Sequence, residues 1–122
     1  MKKILFVEDE AVLQKTLTEI LKNEGYKVVN ALDGESGLRL AKSQKPDLVL
    51  LDIVLPRLQG LEVLKAIKDD PETKDIPVII LTNLESSQEI EKALAFGATT
   101  YLLKTQYTLP EITEKIKSAI GE

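Results

Sequence analysis

The sequence predicts an open α/β domain, a doubly wound sheet of five parallel strands in a (βα)5 arrangement, and three observations predict it. Short apolar runs alternate with amphipathic stretches along the whole chain. Most of the apolar runs are continuous rather than alternating in polarity, the pattern of a parallel strand covered on both faces. Turn and cap residues stand at nearly every junction between the two kinds of segment. Right-handed crossovers between such units put helices on both sides of a single sheet.

The first strand is read at Ile4–Val7. Lys2 and Lys3 before it mimic the start of a secretory signal, but Glu8-Asp9-Glu10 ends the apolar run at once, so the segment reads as a strand. A helix follows at 11–24, where Val12, Leu13, Leu17, Ile20 and Leu21 recur at helical spacing, and Gly25 behind it suits a left-handed cap. The second strand is Tyr26–Ala31, with Asp33 capping a helix at 34–44. Pro46 precedes the third strand, Leu48–Leu51; Gly60 starts a helix at 60–69, and Asp69-Asp70-Pro71 opens a longer connection to Pro77. Val78–Leu81 is the fourth strand. Ser86 or Ser87 caps a helix at 86–96, which Phe96-Gly97-Ala98 closes. Tyr101–Leu103 is the fifth strand, and Pro110 stands at the start of the last helix, 109–120, where a missing N–H costs little. The stripe Leu109, Ile112, Ile116 and Ile120 is read as core, and Lys65, Lys68, Lys115 and Lys117 as solvated helix faces.

Composition narrows the chemistry. The 122 residues read as one domain, 1–122, and 43 % hydrophobic with 30 % charged residues is the balance of a soluble globular protein. The absence of Cys excludes disulfides and thiolate metal sites and fits a reducing compartment, so the expected location is cytoplasmic. His is absent too, which excludes the usual nucleophile–base pairs and most zinc sites. Carboxylates, Lys, Thr and Tyr remain. A net charge of −4 argues against nucleic acid as a direct partner, and no membrane span is read anywhere. No G-x-G-x-x-G or P-loop occurs, and acids rather than a Gly/Ser/Thr-rich loop follow the first strand, which tells against a flavodoxin-type cofactor protein.

In sheets of this kind ligands lie beyond the carboxyl ends of the strands. Glu8-Asp9-Glu10 follows the first strand, Asp52 closes the third, Thr82-Asn83 the fourth and Lys104 the fifth. Neighbouring carboxylates repel unless protonated or shared by a cation. Oxygen ligands on a partly open site suit Mg²⁺, which keeps several waters and binds one or two carboxylates beside a phosphate. With such an ion present, Asp52 becomes a nucleophile toward a phosphoryl group, and Lys104 adds charge neutralisation. Each residue alone has a plainer reading. Acids before a helix are commonly caps, Asp52 can cap a turn, Thr82 suits any strand, Lys104 a solvated surface and Tyr101 simple packing. Their meeting at one sheet edge is what points to a site. Glu10 is left outside it, as a first-turn helix residue.

Glu8-Asp9, Ala31-Leu-Asp-Gly34, Asp52-Ile-Val-Leu-Pro56 with Gly60, Ile76-Pro-Val-Ile-Ile-Leu-Thr82, Gly97-Ala98 with Tyr101, and Lys104 together resemble the receiver domains of bacterial two-component response regulators, the CheY-like superfamily, over essentially the full chain. The resemblance implies a strand order of 2-1-3-4-5 and a phosphorylation switch. Asp52 would then accept a phosphoryl group from the phosphohistidine of a sensor histidine kinase or a histidine phosphotransfer protein. Glu8, Asp9, Asp52 and the backbone carbonyl of Val54 would hold Mg²⁺ (or Mn²⁺). Thr82 would move to bond the new phosphate, Lys104 would pair with it, and Tyr101 would turn inward. The output would be a rearranged surface of fourth helix, fifth strand and fifth helix that binds a downstream protein, from a monomer or a phosphorylation-linked homodimer. The chain would be an enzyme only in its own phosphorylation and dephosphorylation. With Gly121-Glu122 as its end, it is read as a stand-alone receiver that binds a partner or relays phosphate to another protein's histidine.

Two positions depart from the residues usual in the family. Thr105 follows Lys104 where Pro is usual, often after a cis bond, and Asn83 follows Thr82 where a small residue is usual. Val54 and Leu84 occupy positions resembling those that tune phosphate lifetime; both are apolar and neither orients an attacking water, so slow self-dephosphorylation is expected. The alternative, favoured by Thr105 and Asn83, is a receiver-like binding module that acts without phosphorylation.

Overall fold

The computed structural model describes all residues from Met1 to Glu122. In chain order the elements are β1 (Lys3–Val7), α1 (Ala11–Asn23), β2 (Lys27–Ala31), α2 (Gly34–Gln44), β3 (Leu48–Leu51), α3 (Gly60–Asp69), β4 (Val78–Thr82), α4 (Ser87–Ala95), β5 (Thr100–Leu103) and α5 (Leu109–Ile120). The strands form one sheet in the order β2-β1-β3-β4-β5, all parallel. Strand order reverses between β1 and β3, and there the carboxyl ends diverge to leave a crevice.

Side-chain alternation along the strands splits the core in two. Leu5, Val7, Val49, Leu51, Val78 and Ile80 face α2, α3 and α4, meeting Ala41, Val63, Leu64, Ile67 and Ala93. Ile4, Phe6, Leu48, Leu50, Ile79 and Leu81 face α1 and α5, meeting Leu17, Leu21, Ile112 and Ile116. Leu109 and Ile120 pack against the edge of this second cluster. Full burial of one such side chain contributes about 1.5–3 kcal/mol. Burial on both faces is why the central strands read as unbroken apolar runs. α4 is the exception among the helices, with Ala93 its one buried residue.

Local signals largely act as expected. Asp33 accepts from the Ser36 N–H at 2.8 Å, Ser86 caps α4 by accepting from the Glu89 N–H, and Gly25 takes φ +95° just past α1. The Tyr26 N–H donates to the Leu21 carbonyl, so Tyr26 finishes the turn after α1 rather than starting β2. α5 opens with a capping box: Thr108 Oγ1 accepts from the Glu111 N–H, and the Glu111 carboxylate accepts from the Thr108 N–H. Lys68 is not a solvated charge. Its ammonium donates to the Lys74 and Ile76 carbonyls at 3.0 and 2.6 Å, tying the α3–β4 connection to α3. No helix is long and apolar enough to cross a membrane.

Candidate functional site

Backbone ladders bring the charged strand ends together. The Asp52 N–H donates to the Val7 carbonyl at 3.1 Å, the Glu8 N–H to Ala31 at 3.0 Å, and the Lys104 N–H to Thr82 at 2.8 Å. Gly60 allows the chain to turn tightly after β3: a Cβ there would lie 2.2 Å from the Asp52 carbonyl oxygen, and the Gly60 N–H donates instead to Ile53. Glu8, Asp9, Glu10, Asp52, Val54, Thr82, Asn83 and Lys104 line the resulting cleft of about 260 Å³. A larger hollow of about 510 Å³ beside α2 is lined by Asp33, Glu35, Ser36, Arg39 and Arg57. Arg57 pairs there with both acids, and none of the strand-end groups reaches it.

Lys104 is the hub of the cleft. Its ammonium donates to Asp52 Oδ2 at 2.9 Å, to Glu8 Oε2 at 3.1 Å and to Glu10 Oε2 at 3.2 Å. Glu8 is fully buried and Asp52 is 5 % exposed. Burial pushes the Glu8 carboxyl above its ordinary value of 4.5; hydrogen bonds from Lys104 and the Glu10 N–H oppose this, and the Asp52 charge adds to it. For Lys104 burial alone favours the neutral amine, but the hydrogen bonds to Glu8 and Asp52 outweigh it and raise its pKa. The ammonium therefore stays charged and neutralises part of an acidic site.

Neutralisation is incomplete. Glu8 Oε1 is buried and accepts no hydrogen bond; the Lys104 ammonium meets it only as an ion pair, at 2.9 Å. One carboxylate oxygen from each of Glu8, Asp9 and Asp52 lies within 4.8 Å of the others. An orphaned buried oxygen beside two further carboxylates, with no nitrogen or sulfur ligand among them, fits a hard divalent cation such as Mg²⁺ or Mn²⁺. Asp9 is exposed and forms the open side of this set.

Thr82, Leu84 and Tyr101 form a linked row. Thr82 is fully buried, and its Oγ1 accepts from the Leu84 N–H at 3.4 Å. The Leu84 carbonyl in turn accepts from the Tyr101 hydroxyl at 2.6 Å. Burial raises the Tyr101 pKa, with Glu89 and Asp52 adding to it, so the hydroxyl keeps the proton it donates. Val54 is 57 % exposed; its N–H donates to Asp52 Oδ1 at 3.2 Å. Asn83 is exposed at the rim. No peptide bond is cis, so the Lys104–Thr105 bond is trans, and Lys104 still reaches Asp52.

Glu10 is the residue that sequence reasoning left out. It is the residue preceding α1, not part of the first turn, and its side chain caps nothing. That leaves the carboxylate free to turn into the cleft. The run of three acids between a strand and a helix was the available signal, but only the reach of Lys104 distinguishes the third acid from a helix-dipole partner.

The chain matches the family described as response regulator receiver domain over residues 4–117. It is 36 % identical over 121 residues to the polar-differentiation response regulator DivK of Brucella anthropi, a match covering 99 % of this chain and 98 % of that protein. A solved receiver domain of sensor histidine kinase PA1611 from Pseudomonas aeruginosa PAO1, with a magnesium ion coordinated in its active site cleft, superposes with a TM-score of 0.88 at 30 % identity, covering 99 % and 98 % of the two chains. A CheY-like response regulator receiver domain protein from Methanospirillum hungatei JF-1 gives a TM-score of 0.90 at 31 % identity, covering 98 % and 94 %.

Proposed function

Because the chain belongs to the response regulator receiver family, and so is a switch of two-component signalling, we propose that Asp52 is its phosphoacceptor and that Mg²⁺ or Mn²⁺ supports the transfer. One observation carries this reading. Asp52 lines a cleft whose lysine already touches it, beside a buried carboxylate oxygen that accepts no hydrogen bond. Family membership implies a kinase partner, so the donor is a phosphohistidine. An Asp52 oxygen attacks phosphorus, the P–N bond breaks, and its electron pair leaves with the imidazole.

Each side chain then has a task. Glu8, Asp9, Asp52 and the Val54 carbonyl hold the ion, which when bound offsets charge on the transferring phosphoryl group. Lys104 pairs with a phosphoryl oxygen. Thr82 gives up its contact with the Leu84 N–H and donates its hydroxyl proton to another phosphoryl oxygen, and Leu84 passes that movement to Tyr101. α4, β5 and α5 form the responding face, which binds a downstream protein. Residues 1–122 act as one receiver. Val54 and Leu84 offer no group to orient water, so the phosphorylated form decays slowly, over minutes or longer.

Intact-protein mass after incubation with Mg²⁺ and acetyl phosphate tests the reading. Wild type should gain one phosphoryl group, while Asp52→Asn gains none and chelation abolishes the gain. If the wild type shows no gain, the receiver-like module that acts without phosphorylation is the better description.

A further inference from the structure

We propose that Glu10 is a positioning residue that holds Lys104 back in the unphosphorylated state and releases it when Asp52 carries a phosphoryl group. The proposal rests on the phosphorylation of Asp52 put forward above. An ammonium has three N–H donors. Here Asp52, Glu8 and Glu10 occupy them one each. A phosphoryl oxygen arriving on Asp52 therefore finds no free donor on Lys104, and one bond must be exchanged.

Burial decides which bond goes. The Glu8 side chain is fully buried, and leaving it without its cation strands a charged carboxylate away from water. The Glu10 side chain is 56 % exposed, so water replaces the ammonium at little cost. Glu10 also sits just before α1, and no side-chain cap ties it down. The exchange needs no proton transfer: one Lys104 N–H turns from Glu10 Oε2 to a phosphoryl oxygen, and Glu10 turns to solvent. In the resting state Glu10 thus competes with the incoming phosphoryl group for Lys104, and its own charge repels that group.

The test compares wild type with Glu10→Gln. Initial phosphorylation by acetyl phosphate in Mg²⁺ is read from intact mass, and the Lys104 ammonium is followed by ¹⁵N NMR, assigned through its loss in Lys104→Arg. Glu10→Gln should phosphorylate faster by about two- to fivefold, the scale of a half-exposed ion pair. Its Lys104 resonance should differ from wild type before phosphorylation and coincide with it afterwards, a pattern that general loosening of the fold does not produce. An unchanged or slower rate in Glu10→Gln overturns the proposal while leaving Asp52 as phosphoacceptor. Resonances that still differ after phosphorylation also overturn it, because Glu10 would then keep its hold on Lys104. A wild type that takes no phosphoryl group removes both readings together.

Discussion

At the amino ends of the strands, charged and polar groups pair off one by one. The Lys3 N–H donates to Asp47 at 2.7 Å and the Lys3 ammonium to the Gln44 carbonyl and side chain at 3.2 Å, while the Tyr26 hydroxyl donates to Glu122. At the carboxyl ends of the same strands one ammonium serves three carboxylates, and a buried Glu8 oxygen accepts no hydrogen bond. The same sheet supports both rims, so the contrast comes from the side chains and not from the fold. A satisfied rim adds stability without needing a ligand. An unsatisfied one stores unfavourable negative charge that a bound cation relieves, and this makes it responsive.

The contrast predicts how each rim breaks. Lys104→Met leaves Glu8 and Asp52 buried without their cation and should cost about 3–5 kcal/mol in metal-free buffer. Urea midpoints with and without Mg²⁺ check this; the ion should restore part of the loss, and an equal loss under both conditions would mean that the acids do not share a cation.

A smaller effect concerns pH. Glu8 binds its proton more tightly in the fold than in the open chain, so its stabilising contribution is full below 4.5 and is lost as pH rises through the elevated folded value. Glu8→Gln removes that dependence. In metal-free buffer its stability relative to wild type should therefore grow as pH rises from 4.5 to neutral; a constant difference would sink the assignment.

The opposite rim should respond least. Tyr26→Phe loses one hydrogen bond and about 1 kcal/mol at neutral pH. The Tyr26 hydroxyl is pushed from 10.0 up to about 12 by burial and by Glu122. Its contribution is present below pH 10 and lost as pH rises through about 12, so wild type and variant should converge there. Mg²⁺ should change neither.

Ten elements were legible because apolar runs, caps and turn residues report locally on backbone state. The strand-end rule then placed Glu8, Asp9, Asp52, Thr82 and Lys104 on one rim. What stayed hidden depended on reach rather than position. Lys68 looks like any surface lysine until the α3–β4 connection folds back beneath it. Glu10 looks like a helix-start acid until Lys104 arrives from a strand 94 residues away. Thr108 and Glu111 carry a readable capping pattern at the junction that Pro110 also marks. Periodicity finds strands without ordering them, so the β2-β1-β3-β4-β5 sequence was available only through the family resemblance.

The thin attachment of α4 has a kinetic consequence. A helix whose one fully buried side chain is the small Ala93 should open by a local excursion, well before the rest of the domain unfolds. Amide deuterium uptake should therefore be fastest among the helices along Ser87–Ala95 and slowest in β1 and β3. On the reading proposed above, phosphorylation would then need only to change how long each shape of the surface beside Thr82, Leu84 and Tyr101 lasts.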